Sequence, residues 1–440
     1  MRNVKLSKLW DSLRSSYWFL PGLMAVAGMV LAFGMLALDQ SETIKTGELS
    51  WIYAGGPEGA RGLLSAVASS MVTVAATAFS ITIVALQLAA SNFGPRLLRN
   101  FMQDTGNQIV LGTFIATFLY CLLVLRTIYG EDYNLFVPQL SVTVGIVLAI
   151  ASIGVLIYFI HHASTIIQAS HVIAGVADEL DAAIDRLFPE EMGKAAREKH
   201  SPISTIPKDF DVQASSIRSM HTGYLQAIDD QSLLKLACKH NLLLHLTTKP
   251  GEFIAKGDCL VLSYPEKQVN SKTIHEINQA FLLGKERTEQ QDIEFPINQL
   301  VEIALRALSP GINDPFTAIR CIDRLSAGLS RLAERPFPSA YRYDNHHQLR
   351  VIAELIAFEQ LVGMAFNQLR HYGKSDVAVT LRLLKAIAQI ANHTHRPRDR
   401  LALEQQAEII LQGSREGLSQ PQDQQMAEDL YRQVVATWRT

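Results

Sequence analysis

A row of side chains inside one apolar stretch has the types and spacing to do chemistry: Ser65, Ser69, Thr73, Thr77, Ser80 and Gln87. At 100° per residue these positions, with Ser91, project within an arc of about 120° on a helix. From Ser65 to Gln87 the stripe climbs about 33 Å at 1.5 Å per residue, which is the thickness of a bilayer's hydrocarbon layer. Hydroxyls and an amide can replace part of an ion's hydration without carrying charge, so one reading is the wall of a water-filled path. The same residue types let membrane helices approach closely and hydrogen-bond to neighbours or to their own i−4 carbonyls, so a packing face is the competing reading. One helix cannot enclose a pore, and the first reading therefore requires several copies around a symmetry axis.

The rest of the chain must place that stripe in a membrane. Of 440 residues, 48% are hydrophobic and 19% charged, and the formal net charge of −2 gives no signal for a nucleic-acid partner. Four apolar runs are long enough to cross about 30 Å of hydrocarbon as helices, at 17–38, 62–90, 108–129 and 136–160. Tyr17 and Trp18 stand at the entry edge of the first run, as interfacial aromatics do, and no cleavage signal follows it. Arg2, Lys5, Lys8 and Arg14 before the first run, with Arg96 and Arg99 after the second, place those ends and both termini in the cytoplasm by the positive-inside rule. Lys45 and Arg61 stand on the other side among the acids Glu42, Glu48, Glu131 and Asp132. No ionisable residue lies near the middle of any run, whereas coupled transporters and pumps keep such groups within the membrane. A passive conduit, a sensor or a scaffold fits better.

After the membrane part, "TIIQASHVIAGVADELDAAIDRLF" continues as a helical stalk, and a polar, proline-punctuated linker follows. Short apolar runs separated by Gly223, Pro250-Gly251 and Gly257-Asp258 indicate a small β-rich unit. Its "GEFIAKGDCLVL" stretch resembles the hairpins of barrel-sandwich domains of the biotinyl-lipoyl type, without the Met-Lys-Met attachment sequence, so a structural module is expected and not a carrier. Further on, a helix with Leu300, Ile303, Ala304, Ala307 and Leu308 on one face should stop before Ser309-Pro310-Gly311. Asn313 or Asp314 can cap the next helix, with Pro315 at its first position. This turn either sets the angle between two helices or makes a ligand or subunit contact through Arg306, Asn313 and Asp314.

The string "ALSPGINDPFTA", with "RTEQQD" upstream and four apolar spans before it, closely resembles a bacterial family of predicted membrane proteins, domain of unknown function 2254. The resemblance covers essentially the whole chain. It implies a bacterial cytoplasmic-membrane protein of this topology and no established activity.

Catalysis finds little support, since no Gly-rich phosphate loop, HExxH, GxSxG or paired metal-ligand spacing appears. "DNHHQ" (344–348) and "NHTH" (392–395) read as polar loops and not as metal sites, and no cofactor or metal is expected. The cysteines have neither CxxC spacing nor secreted-domain density and are expected as free thiols. From about 348 onward, amphipathic helices indicate an interaction or assembly domain.

The expected fold class is therefore a mainly α-helical integral membrane protein with four transmembrane helices (1–160), a stalk and linker (161–210), a small β-rich module (211–268) and a helical domain (269–440). The expected function is a homo-oligomeric inner-membrane ion channel lined by the second span, with the cytoplasmic part for assembly or gating. The alternative is a membrane-anchored sensor or scaffold that binds a ligand or partner in the cytoplasm.

Overall fold

The computed structural model describes residues 17–41, 52–94, 104–128, 136–166, 168–189, 206–353 and 356–439. The chain divides into two compact units, Met1–His171 and Val172–Thr440. The loop charges that set the expected orientation, from Arg2 to Arg14, at Lys45, Arg96 and Arg99, and at Glu42, Glu48, Glu131 and Asp132, lie outside the described residues. So does the linker at 190–205.

The first unit holds four helices long and apolar enough to cross a bilayer: α1 (Phe19–Gln40), α2 (Pro57–Phe93), α3 (Thr105–Leu125) and α4 (Gln139–Ile166). Each starts where the local chemistry permits. Pro57 occupies the first turn of α2, and the Asp104 carboxylate accepts from the Asn107 N–H at 2.8 Å to cap α3. At 37 residues, α2 runs beyond the expected 62–90 at both ends and is about 55 Å long, well over one hydrocarbon thickness.

α3 is the central helix and packs against the other three. Lipid tails give no hydrophobic drive to bring apolar helices together, so close approach depends on small side chains. Gly28 of α1 sits against Ala116 of α3, and Gly112 of α3 sits against Met24 and Pro21 of α1. Polar side chains collect at the two ends of the bundle. At one end, Asp39 accepts from the Leu140 and Ser141 N–H groups at 3.0 and 2.9 Å, capping α4 from the end of α1, and Arg61 donates to the Ile128 carbonyl at 2.8 Å. At the other, His162 Nε2 lies 2.8 Å from Asp104, so the end of α4 meets the start of α3. Consecutive helices thus run in alternating directions.

In the second unit, α5 (Ala169–Leu187) lies along a later helix, α9 (Pro315–Glu334). Leu180 and Ile184 of α5 cover Gly328, while Arg331 reaches Asp181 at 2.8 Å and Asp185 at 2.6 Å. Between them in the chain come β1 (Ser215–Arg218), β2 (Gly223–Ile228), α6 (Asp230–Lys239), β3 (Leu243–Leu246), β4 (Phe253–Ile254), β5 (Cys259–Tyr264), α7 (Ser271–Gln279) and β6 (Phe281–Gly284), which form an α/β layer. α8 (Glu294–Ala307) and α9 follow, then β7 (Tyr341–Tyr343), β8 (Leu349–Ala353) and the helices α10 (Phe358–Gly373), α11 (Val377–Asn392), α12 (Pro397–Gly417) and α13 (Pro421–Arg439). One sheet has the order β1-β5-β3-β8-β7, antiparallel except for β3 with β8, and the other the order β4-β2-β6. Leu225, Leu233, Leu244, Leu260, Ile277 and Phe281 fill one core with both sheets and α6 and α7.

This layer departs from the sequence expectation in two ways. β structure is not confined to 211–268: β6, β7 and β8 lie beyond it, and β8 pairs with β3 across about a hundred residues of chain, a partnership no local pattern displays. The "GEFIAKGDCLVL" stretch also forms no hairpin. β4 pairs with β2, and β5 with β1 and β3, so the turn at Gly257 (φ +101°) carries the chain from one sheet to the other. Glycine suits that turn because a side chain there would be strained.

Candidate functional site

The stripe on α2 is a continuous outward face. Ser65, Ser69, Thr73, Thr77, Ser80 and Gln87 are all exposed. The opposite face, with Leu64, Ala68, Met71, Ala78, Thr82, Ala85 and Ala89, is buried, and its Leu64, Met71 and Ala78 pack among Tyr120, Phe114 and Phe159 of α3 and α4. Among the described residues the stripe is therefore not a packing face within one chain. Thr73 Oγ1 donates to the Ser69 carbonyl at 3.0 Å and Thr77 Oγ1 to the Thr73 carbonyl at 2.9 Å. Their hydrogens are turned onto the helix and their oxygen lone pairs remain for water or a cation.

The Ser-Pro-Gly turn joins α8 to α9. Asp314 accepts from the Thr317 N–H at 3.1 Å and from Thr317 Oγ1 at 2.6 Å, and Pro315 starts α9. The Thr317 hydroxyl is the main cause that holds the Asp314 carboxyl below the ordinary carboxylate range. The Asp314 N–H returns to the Ala307 carbonyl at 2.8 Å, and Ser309 Oγ donates to the Arg306 carbonyl at 2.6 Å, which folds Ser309, Pro310 and Gly311 into a tight link. Positive φ falls at Asn313 (φ 49°) and not at Gly311, where a Cβ would meet open space. Arg306 lies 3.4 Å from Glu302 one turn earlier. The turn also displays apolar surface that its polar spelling hides: Ile312 is 46% and Phe316 74% exposed.

Asp314→Ala is expected to lower the stability of the second unit by about 1 kcal/mol, as loss of a helix cap does, whereas Gly311→Val should be near neutral. Because the folded pKa of Asp314 is depressed, the cap's contribution is complete above the ordinary carboxylate range. It is lost as pH falls through the lowered value. Thermal melts of both variants at neutral and acidic pH check this; equal loss in the Gly311 variant would contradict the turn geometry.

"RTEQQD" builds a second site. Arg287 grips Asp292, with Nη2 2.6 Å from the carboxylate, and Asp292 also accepts from the Glu294 N–H at 3.0 Å. Gln291 pairs by both amide atoms with the backbone of Ile228, at 2.9 and 3.0 Å, and Arg186 donates to the carbonyls of Glu289 and Gln290. The resulting rigid loop walls a cavity of about 410 Å³, together with the end of α5, the start of α6 and the segment after β3. In the sequence this string carries only the family resemblance. Its partners stand 63 and 104 residues away, so no spacing rule brings them together.

The two histidine-bearing stretches, 344–348 and 392–395, lie at the turn from β7 to β8 and at the end of α11. Asp344 accepts from the His346 and Gln348 N–H groups and pairs with Arg350 at 2.8 Å, closing the turn from β7 to β8, and His393 Nδ1 lies 2.6 Å from Glu334.

Four apolar helices, an outward polar stripe and a separate α/β unit with its own cavity define a mainly helical membrane protein. The chain belongs to the family described as "Predicted membrane protein (DUF2254)", whose match spans residues 14–389. It is 33% identical over 424 residues to the uncharacterized protein Rv1290c of Mycobacterium tuberculosis, covering 94% of this chain and 79% of that protein. The uncharacterized protein Mb1321c of Mycobacterium bovis matches to the same extent. No solved structure matches the chain.

Proposed function

We propose that the protein is a homo-oligomeric channel of the bacterial cytoplasmic membrane, passive in mechanism, with the α2 stripe facing a shared axis and both termini in the cytoplasm. The observation that carries this reading is the exposure of every stripe residue, on the face of α2 opposite to its packing, over about 33 Å. A lone chain would present this hydroxylated row and the Gln87 amide to lipid, where polar groups are disfavoured. A ring of copies would present it to water. Acceptor oxygens at Thr73 and Thr77, with no charge among them, suit a partly dehydrated cation. The ionisable groups of the bundle stand at its ends, Asp39 and Arg61 at one and Asp104 and His162 at the other, and leave the middle without them, which accords with a conduit that moves no proton of its own.

The test is thiol labelling of single-cysteine variants in membranes, on a background in which Cys121, Cys238, Cys259 and Cys321 are replaced. Thr73, Thr77 and Ser80 variants should react with small aqueous reagents, and Ala78 and Ala85 variants, buried within the bundle, should react far less. Equal protection of all five would count against the pore.

One observation favours a second reading, a membrane-anchored sensor: the cavity in the second unit is of the size that holds a small ligand. The two readings combine if that ligand controls conduction.

A further inference from the structure

The cavity wall carries many charges, and most are satisfied inside the chain. Lys249 Nζ lies 2.5 Å from Glu294, and Arg287 holds Asp292. Arg186 directs its donors to backbone carbonyls. Asp230, at the first position of α6, is different. Its carboxylate lines the cavity, open to solvent, and among the described residues it accepts no hydrogen bond and joins no ion pair. Arg342 faces the same space, near enough for its charge to act on Asp230 but without pairing with it. Among the described residues Arg342 is engaged through Nη1, by the carbonyls of Ser339 and Tyr341. The same cavity is lined by the apolar side chains of Phe188, Ile293 and Ile356.

An unpaired carboxylate beside a half-used guanidinium, over an apolar floor, is complementary to a molecule that carries both a cation and an anion. We propose that this cavity binds a small zwitterion with an apolar side chain, of the size and chemistry of an apolar α-amino acid. The ligand's ammonium group donates to Asp230, its carboxylate accepts from the free Nε and Nη2 of Arg342, and its side chain covers Phe188 and Ile293. A volume of about 410 Å³ accommodates such a molecule within the usual range of ligand pockets. Desolvation along the cavity wall pushes the Asp230 carboxyl up against the opposing charge of Arg342, while the residue keeps an exposed edge that a cationic ligand group can reach. Charge-assisted hydrogen bonds at both ends would fix the ligand's orientation. The Arg287–Asp292 and Gln291–Ile228 contacts hold the wall rigid before any ligand arrives, which favours affinity because little ordering is left for binding to impose.

This inference concerns the second unit and does not depend on conduction. The full chain, purified in detergent, would be titrated calorimetrically with L-leucine, L-phenylalanine and L-tryptophan. The comparison ligands are 2-phenylethylamine, which lacks the carboxylate, and 3-phenylpropanoate, which lacks the amine. Saturable binding of at least one amino acid is expected, with each single-charge analogue about tenfold weaker or more. Asp230→Asn, confirmed as folded by an unchanged melt, should lose affinity to a similar extent, and Asp230→Ala should do the same. Absence of saturable binding by all three amino acids, equal binding by either analogue, or unchanged affinity in both folded Asp230 variants would overturn the proposal. Because no flux is measured, each of these results leaves the channel reading where it stood.

Discussion

Asp292→Ala is expected to destabilise the second unit by about 1–3 kcal/mol, the cost of removing a buried carboxylate on which several donors depend. Asp292 is only 3% exposed, and its carboxylate satisfies Arg287 through two donors, at 2.9 and 2.6 Å, and the first N–H of α8 at 3.0 Å. Burial pushes its carboxyl up, and the Arg287 guanidinium opposes that shift and favours the ionised form. Removing the carboxylate leaves Arg287 with only the longer contact to Glu294 at 3.5 Å, releases the start of α8 and loosens the loop whose Gln291 is clamped to Ile228. A double variant, Asp292→Ala with Arg287→Met, should recover part of the loss, because the half-buried cation goes with its nearer partner. Chemical denaturation of the single and double variants measures this, and a loss under 1 kcal/mol in the single variant would show that the pair is not what fixes the loop.

The second large effect is expected in the membrane unit. Gly28→Val should separate α1 from α3, since a Cβ at Gly28 would stand 2.8 Å from the Ala116 carbonyl oxygen and 3.1 Å from its Cα. Backbone cannot move aside as a flexible side chain can, so the cost is about 1–3 kcal/mol or more. The variant should melt earlier in detergent than wild type. Gly34→Val, on the same helix with open space around it, should be tolerated, and equal losses at the two positions would contradict the packing of α1 on α3.

What could be read from the sequence was what local rules govern. Four apolar runs gave four helices because length and composition alone decide whether a segment can span, and the cap could be narrowed to Asn313 or Asp314 by the residues before Pro315, of which Asp314 is the one that caps. The angular stripe on α2 was legible for the same reason, but its direction was not. Ile81, about 100° from the stripe's centre, is also exposed, so periodicity alone does not separate a polar outer face from a lipid-facing one. Asn313 was spelled in the motif as plainly as Gly311, yet its left-handed backbone depends on how Ser309 and Asp314 close the turn. The sheet around β3 and β8, and the cavity walled by "RTEQQD", could not be read at all. Both are assembled from residues distant in the chain, and hydrogen bonds such as that of Gln291 to Ile228 leave no periodic trace.

The measurement that bears most directly on the proposed channel is ion flux through the purified protein in liposomes, wild type against Thr77→Leu. Thr77 is exposed midway along the stripe, and its hydroxyl bonds to its own helix, so leucine there removes no contact between helices of one chain. If α2 lines a shared path, a ring of leucines at this level narrows and dries it, and flux should fall roughly tenfold or more while the oligomer and its melting temperature are retained. Flux unchanged by the substitution in a folded oligomer, or no flux from wild type across ionic gradients of either sign, would contradict the account.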